Sequence, residues 1–260
     1  MSLKVSVVIP VKKIDSYFHI ALHSIIDQTY ENIEIIIVVD QSYEKEMFDA
    51  INAPAYKENN QNIRIVSSNM SGIAAALNMG IQETRGVYIA RMDSDDISEP
   101  TRIEKQINYF RLNSSCKVLG SRAKYINEDG NIIGISPKIP RNKNIYKSMY
   151  FNNILIHPSA MIDAEFIKKL GGYSNQPSED YELWLRCLEL DIKSLAILDE
   201  ELIYYRLHKN QISRLTRAKG QISVCSSLFS AMTRNMNFYI LIGFVYNFLK
   251  LIFRKIQNLV

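Results

Sequence analysis

The 260-residue sequence has little of what would make a disulfide scaffold or a glycine-cradled phosphate site. Its three cysteines, Cys116, Cys187 and Cys225, are odd in number, far apart and without CxxC spacing. That excludes a disulfide framework and points to a reducing, cytosolic setting. After the first apolar run the chain reads "VVIPVKKID", which contains neither GxGxxG nor GxxxxGK[ST]. Dinucleotide-type and P-loop phosphate cradles are both disfavoured. The N-terminus "MSLKVSVVIPV" lacks a basic leader, a long apolar run and a small-residue cleavage site, so no export is expected. His19 and His23 stand four apart without the Glu of an HExxH motif, and they read as residues of an amphipathic helix rather than zinc ligands. No internal repeat or low-complexity linker divides the chain. Acidic residues are missing from the entire tail: beyond Glu201 lie nine lysines and arginines and no Asp or Glu. The two parts of the chain therefore suit different environments.

What is present is an ordinary folded composition, 47% hydrophobic and 22% charged. Over the first hundred residues apolar β-type runs ("KVSVVIPV", "IEIIIVVD", "IRIVSS", "VYIARMD") alternate with helix-like stretches ("YFHIALHSIIDQ", "YEKEMFDAIN", "GIAAALNMGIQET"). This is the rhythm of an α/β sheet with crossover helices, and the near-continuous Val/Ile runs predict strands buried on both faces. In such sheets ligands bind beyond the carboxyl ends of the strands. Two runs end there in an aspartate, Asp40 and Asp93, which are expected to face one crevice.

Asp93, Asp95 and Asp96 crowd into four positions of "RMDSDDISEP". Two carboxylates about 4 Å apart repel by roughly 4 kcal/mol at an effective dielectric near 20, so the grouping calls for positive charge. Hard oxygens at this spacing suit Mg²⁺ or Mn²⁺, ions that commonly complete their shells with substrate phosphates. A helix should follow over "TRIEKQINYFRL", capped by Ser98 or Glu99 with Pro100 in its first turn. Beyond it, "KVLGSRAKYIN" and "NIIGISP" flank an Asp129-Gly130 hairpin turn. "ILIHPSAMI" reads as a strand, and "SEDYELWLRCLEL" as an amphipathic helix capped by Ser178.

Taken together, "VSVVIPV", the Asp40 strand end, "GIAAALNMGI", "GVYIARMDSDD", "IHPSAMI", "GGYSNQPSEDYELWLR" and "YRLHKNQIS" resemble, in order and spacing, the inverting family 2 glycosyltransferases of the GT-A fold. The resemblance covers about residues 4 to 213. It implies a mixed, mainly parallel sheet flanked by helices. Residues 1–215 would form the catalytic domain, with a nucleotide-sugar half at 1–97 and an acceptor half at 98–215. It further implies that Asp40 accepts the uracil N–H of a UDP-sugar, with Pro10, Asp93, Ser94 and Arg206 also on the nucleotide side and Lys209 near the diphosphate. Asp93, Asp95 and His208 would ligate Mn²⁺ or Mg²⁺, and Asp96 would support them or touch the sugar. Asp180 would be the catalytic base, and Glu179, His157 and Trp184 would line the acceptor or donor sugar, Trp184 alternatively being core. By the residues alone, Glu179 and Asp180 could simply favour a helix N-terminus. Two positions depart from the family pattern: Gln41-Ser42-Tyr43 follows Asp40 where many relatives have Gly-Ser, and Leu77 stands where many carry arginine.

Residues 238–253, "FYILIGFVYNFLKLIF", are sixteen mostly apolar residues, short of the ~20 that span a bilayer. Gly243, Asn247, Lys250, Arg254 and Gln257 fall on one helical stripe, so residues 216–260 are expected to lie as amphipathic helices on an anionic membrane surface. The alternative is docking on the enzyme body or a partner. Aromatics on the apolar face rather than in a basic groove argue against nucleic acid. With that tail, the resemblance implies a peripheral enzyme on the inner face of the plasma membrane acting on an undecaprenyl-diphosphate type sugar acceptor. Its rivals are a nucleotidyltransferase, which should carry a glycine-rich loop after the first strand, and a sugar-nucleotide-binding protein without turnover.

Overall fold

The computed structural model describes residues 2–53, 56, 62–69, 72–139, 145–209, 211, 217–234 and 237–257. The alternating runs form the expected elements. Strands β1 (Val5–Val11), β2 (Ile33–Asp40), β3 (Ile63–Ser68) and β4 (Tyr88–Arg91) pair in parallel in the order β3-β2-β1-β4. Helices α1 (Ser16–Ile26), α2 (Glu44–Ile51) and α3 (Ile73–Glu83) make the crossovers. β1 is buried along its whole length because it has a partner on each side and helices over both faces. Its alternate residues Val5, Val7, Ile9 and Val11 join the core under α1, while Val8 joins the core under α3. The chain leaves β1 in one direction through β2 and β3, then returns to place β4 on the other side. The resulting switch point, at the carboxyl ends of β1 and β4, is where an open α/β sheet binds its ligand.

The sheet continues without a break into the second half. After β5 (Ile97–Ser98) and α4 (Arg102–Leu112) come β6 (Val118–Ile126), β7 (Ile132–Ile135), α5 (Ile145–Phe151), β8 (Met161–Asp163), α6 (Ala164–Lys169), α7 (Glu179–Leu190) and β9 (Leu195–Arg206). The order extends β4-β8-β6-β9-β5, with β7 on β6 as the expected hairpin and Gly130 at φ 87° in its turn. The sequence carries no clear strand signal for β9, since "DEE" interrupts its apolar residues. The exposed acids Asp199 and Glu200 fall where its pairing with β6 shifts register.

Three local expectations give way. α4 begins at Arg102, and neither Ser98 nor Glu99 caps it; Ser98 is in β5, and Gln28 Oε1 accepts the Ile103 N–H at 3.1 Å instead. "ILIHPSAMI" is a strand only over its end, because Pro158 lacks a ladder N–H and sits in a 3-10 turn, His157–Ser159. Ser178 precedes α7 but its hydroxyl does not cap it; the residue is left-handed, φ 61°, and its Oγ bonds the Gly220 carbonyl at 3.3 Å.

The tail forms α8 (Arg217–Arg234) and α9 (Phe238–Gln257), and among the described residues no helix is long and apolar enough to cross a membrane. The domain boundary expected near 215 lies outside the described residues. The polar stripe of α9 exists, but it faces the protein: Gly243 and Asn247 are buried against α5. Pointing outward are Phe238, Leu241, Ile242, Val245, Tyr246, Phe248, Leu249, Ile252 and Phe253, all exposed. Arg234 pairs with Glu189 at 2.7 Å. The side chains of Arg254 and Gln257 lie outside the described residues.

Candidate active site

At the switch point β4 ends in Arg91, and the chain turns through Asp93, Ser94, Asp95 and Asp96. Carboxylate oxygens of the three aspartates lie within 4.8 Å of one another. Their repulsion is balanced by buried guanidinium groups. Arg91 ion-pairs with Asp93, while its Nε and Nη1 are buried without partners. Arg102, fully buried, donates to the carbonyls of Arg91 (2.9 Å) and Ala160 (3.3 Å). Burial and the charge of Arg91 lower its pKa to about 9, so it stays charged at neutral pH. Arg206 donates through Nε to the Asp95 carbonyl (2.8 Å) and through Nη1 to those of Asn127 and Glu128, and it stacks on the Tyr17 ring.

These bonds leave Arg206 only 2% exposed. The diphosphate contact expected of it therefore has no surface; it bolts the acidic turn to the β6–β7 hairpin. Asp96 is also buried. Oδ1 accepts the Arg206 N–H at 2.8 Å and Oδ2 has no partner, and burial, then Asp93 and Asp95, push its pKa well up. Burial likewise raises Asp93, against the lowering effect of Arg91. His208 Nε2 lies 2.8 Å from Asp95 Oδ2, joining the end of β9 to the cluster.

Across the crevice stands the start of α7. Asp180 Oδ2 accepts from Asn153 Nδ2 at 2.7 Å. Burial raises Asp180, partly offset by the Tyr181 N–H, Asn153 and Arg91. Glu179 is raised to about 7 by burial and by Asp180 beside it. The charge of Asp180 also raises Asp93. His157 bonds Tyr173 Oη through Nε2 at 2.9 Å, and burial and Arg91 hold it well below its usual pKa, hence neutral. Trp184 lies edge-on against His157 at 0% exposure, which makes it core rather than a cleft surface.

Pro10 is buried near the end of β1. Asp40 is exposed at the end of β2, on the same edge of the sheet as Arg91, and accepts from Ser42 N–H (3.0 Å) and Oγ (2.6 Å), which lower its pKa. Ser42 thus replaces the tight glycine turn. Leu77 is in the core, with no polar contact to offer. Sequence reasoning missed Arg91, whose signal was a lone cation in an apolar strand, and Asn153 and Tyr173, which carry no local signal.

The residues fit a hard divalent cation. Asp93 and Asp95 offer oxygens within one ion's reach, His208 a nitrogen beside them, and the unpartnered Oδ2 of Asp96 lies in the same cluster.

A mainly parallel sheet carrying an acidic cluster at its switch point, faced by a helix-borne carboxylate, defines a GT-A glycosyltransferase. Known proteins agree. The profile of Glycosyl transferase family 2 matches residues 6–171. The chain is 34% identical over 221 residues to the O-antigen biosynthesis glycosyltransferase WbnJ of Escherichia coli, covering 82% of this chain and 85% of that one. In fold it resembles S. aureus TarS 1-349 in complex with UDP-GlcNAc, with TM-score 0.69 and 15% identity over 94% of this chain and 72% of that one. It also resembles the mannosyltransferase PcManGT of Pyrobaculum calidifontis in complex with GDP-Man and Mn²⁺, with TM-score 0.68 and 12% identity over 96% and 70%. The chain belongs to glycosyl transferase family 2.

Proposed function

We propose that this enzyme transfers a hexose, galactose or glucose being favoured, from a UDP-sugar to a lipid-diphosphate-linked sugar in bacterial surface polysaccharide synthesis, with inversion to a β-glycoside. The observation that carries the reading is the Asp180 carboxylate at the start of α7, held by Asn153 Nδ2 at 2.7 Å and close enough to the acidic turn for its charge to act on Asp93. An acceptor hydroxyl is a poor nucleophile until a carboxylate takes its proton during attack, a contribution of roughly 10² to 10⁴ in rate. A raised pKa makes Asp180 a stronger base, and the bond from Asn153 fixes which oxygen is engaged and leaves the other to receive the proton.

Asp40, with Pro10 and Ser94, would orient the nucleotide. Asp93, Asp95 and His208 would hold Mn²⁺ or Mg²⁺, which when bound supplies charge neutralisation for the diphosphate leaving group. Glu179 and neutral His157 would line the sugar side. The name of the E. coli relative supports a polysaccharide acceptor, and the UDP-GlcNAc bound by TarS supports a UDP-linked donor.

Attachment to the inner leaflet would come from the tail. The outward face of α9 is apolar throughout its described length, and α8 and α9 contain no acidic residue. Incubating the protein with a panel of UDP-sugars, Mn²⁺ and a prenyl-diphosphate-linked N-acetylglucosamine or N-acetylgalactosamine tests the reading. UDP release should require acceptor, stop with chelator and be lost in Asp180→Asn while UDP binding persists. Turnover by Asp180→Asn at the wild-type rate would overturn the assignment of the base.

A further inference from the structure

We infer that the two C-terminal helices clamp the catalytic carboxylate in place, with Asn153, Asn247 and Ser223 as positioning residues. The inference rests on the reading of Asp180 as the base. Two segments distant in sequence meet at that residue: the end of α5 with residues 152–153, and residues 176–178 leading into α7. Each is held from outside by one tail helix.

α9 holds the first. Tyr150 and Phe151 are the last residues of α5, so their carbonyls have no acceptor role within the helix. Asn247, 3% exposed, donates to both, at 3.3 and 3.2 Å. Gly243, one turn earlier, lets the helices approach so closely that a Cβ there would collide with the Tyr150 carbonyl. Lys250 Nζ reaches Asn152 Oδ1 at 3.4 Å. The next residue, Asn153, donates to Asp180.

α8 holds the second. Ser223 Oγ donates to the Pro177 carbonyl, Gln176 Nε2 donates to Ser227 Oγ at 3.3 Å, and the Gly220 carbonyl accepts from Ser178. Ser178 is the one non-glycine residue at positive φ among the described residues, and it immediately precedes Glu179 and Asp180. Such a conformation persists when surrounding contacts over-determine it, and α8 supplies them. The tail also packs apolar residues inward, Leu228, Ala231 and Ile240 among them, but its buried polar side chains are spent on the two segments that set the carboxylate.

The test uses the full-length chain in detergent micelles, with UDP-galactose, Mn²⁺ and a short prenyl-diphosphate N-acetylglucosamine. The pKa of Asp180 is followed in parallel by ¹³C carboxyl NMR, assigned by loss of its signal in Asp180→Asn. The groups facing that carboxylate are Arg91 and Asp93 from the end of β4, Tyr173, and Glu179 and Tyr181 of α7.

Asn153→Ala should lower kcat about tenfold to a hundredfold with donor KM nearly unchanged. It should raise the Asp180 titration and the acidic limb of the rate profile with it, and Asn153→Ser, which keeps a donor, should recover part of both. Asn247→Leu should move kcat and the titration the same way, and should add little in an Asn153→Ala background. Ser223→Ala, a milder change, covers the case in which Asn247→Leu fails to fold. Folded Asn247→Leu and Ser223→Ala with wild-type kcat and Asp180 titration would overturn the clamp while Asp180→Asn remains inactive. An active Asp180→Asn would instead overturn the base, and the NMR titration would still decide whether the tail positions the carboxylate.

Discussion

Replacing Arg91 with methionine keeps most of the side-chain volume and deletes the countercharge of the acidic turn. The Arg91 side chain is 7% exposed and Asp93 26%, so the pair is buried on one side and partly wet on the other. Removing one partner of a buried pair costs roughly 3–5 kcal/mol. With Asp93 a quarter exposed, the lower end applies, about 3 kcal/mol, or roughly 6–12 °C in Tm for a chain of this size. Urea unfolding at pH 7.5 in EDTA measures it.

Two further arms identify the cause. Asp93→Asn in the Arg91→Met background should recover most of the loss, because the stranded carboxylate is then gone. Mn²⁺ should restore more stability to Arg91→Met than it adds to wild type, since binding to the folded state alone stabilises by mass action. A loss under about 1 kcal/mol in EDTA, or a double variant as unstable as the single, would refute the electrostatic account and leave a packing defect.

Glu179→Gln should stabilise the protein at pH 8 and make no difference at pH 4. Burial and Asp180 raise the folded carboxyl to about 7, above its ordinary value, so its stabilising contribution is full below the unfolded value and is lost as pH rises through the folded one. Equal shifts at both pH values in urea titrations would contradict this. His208→Ala should weaken Mn²⁺ binding by at least about tenfold in calorimetry, given that even outer-sphere partners carry that much; unchanged affinity would remove His208 from the ligand set. Leu249→Asp with Phe253→Asp, both on the exposed face of α9, should abolish flotation with vesicles rich in anionic lipid without changing Tm. Persistent flotation would place the membrane contact elsewhere.

The parallel half of the fold was legible because its strands are short, apolar and punctuated. β1 and β2 could be read from their Val/Ile runs, and β2 and β4 run parallel to β1, so the aspartates at their ends, Asp40 and Asp93, leave the sheet on the same edge. β9 hid behind Asp199, Glu200 and Glu201, of which a bulge turns the first two to solvent while the third pairs with Arg122. The acid cluster could be read, but its countercharges could not. Arg102 looked like an ordinary first-turn helix residue and Arg206 like a phosphate ligand, and only tertiary contacts bury them under the turn. Helical spacing in the tail correctly separated a polar stripe from an apolar one. It could not say which stripe the body would claim, because that depends on the free carbonyls of α5, nearly a hundred residues upstream.

The bonds from Arg206 to the main chain of Asp95 and the carboxylate of Asp96 bridge 111 and 110 positions. During synthesis the four parallel strands can assemble from the first hundred residues, but the loop bearing their acids stays unfastened until the last strand emerges and slots between β6 and β5. A nascent chain stopped before that strand would carry Asp93, Asp95 and Asp96 without Arg206 to fasten their turn, so the acidic cluster takes its shape only as the domain is completed.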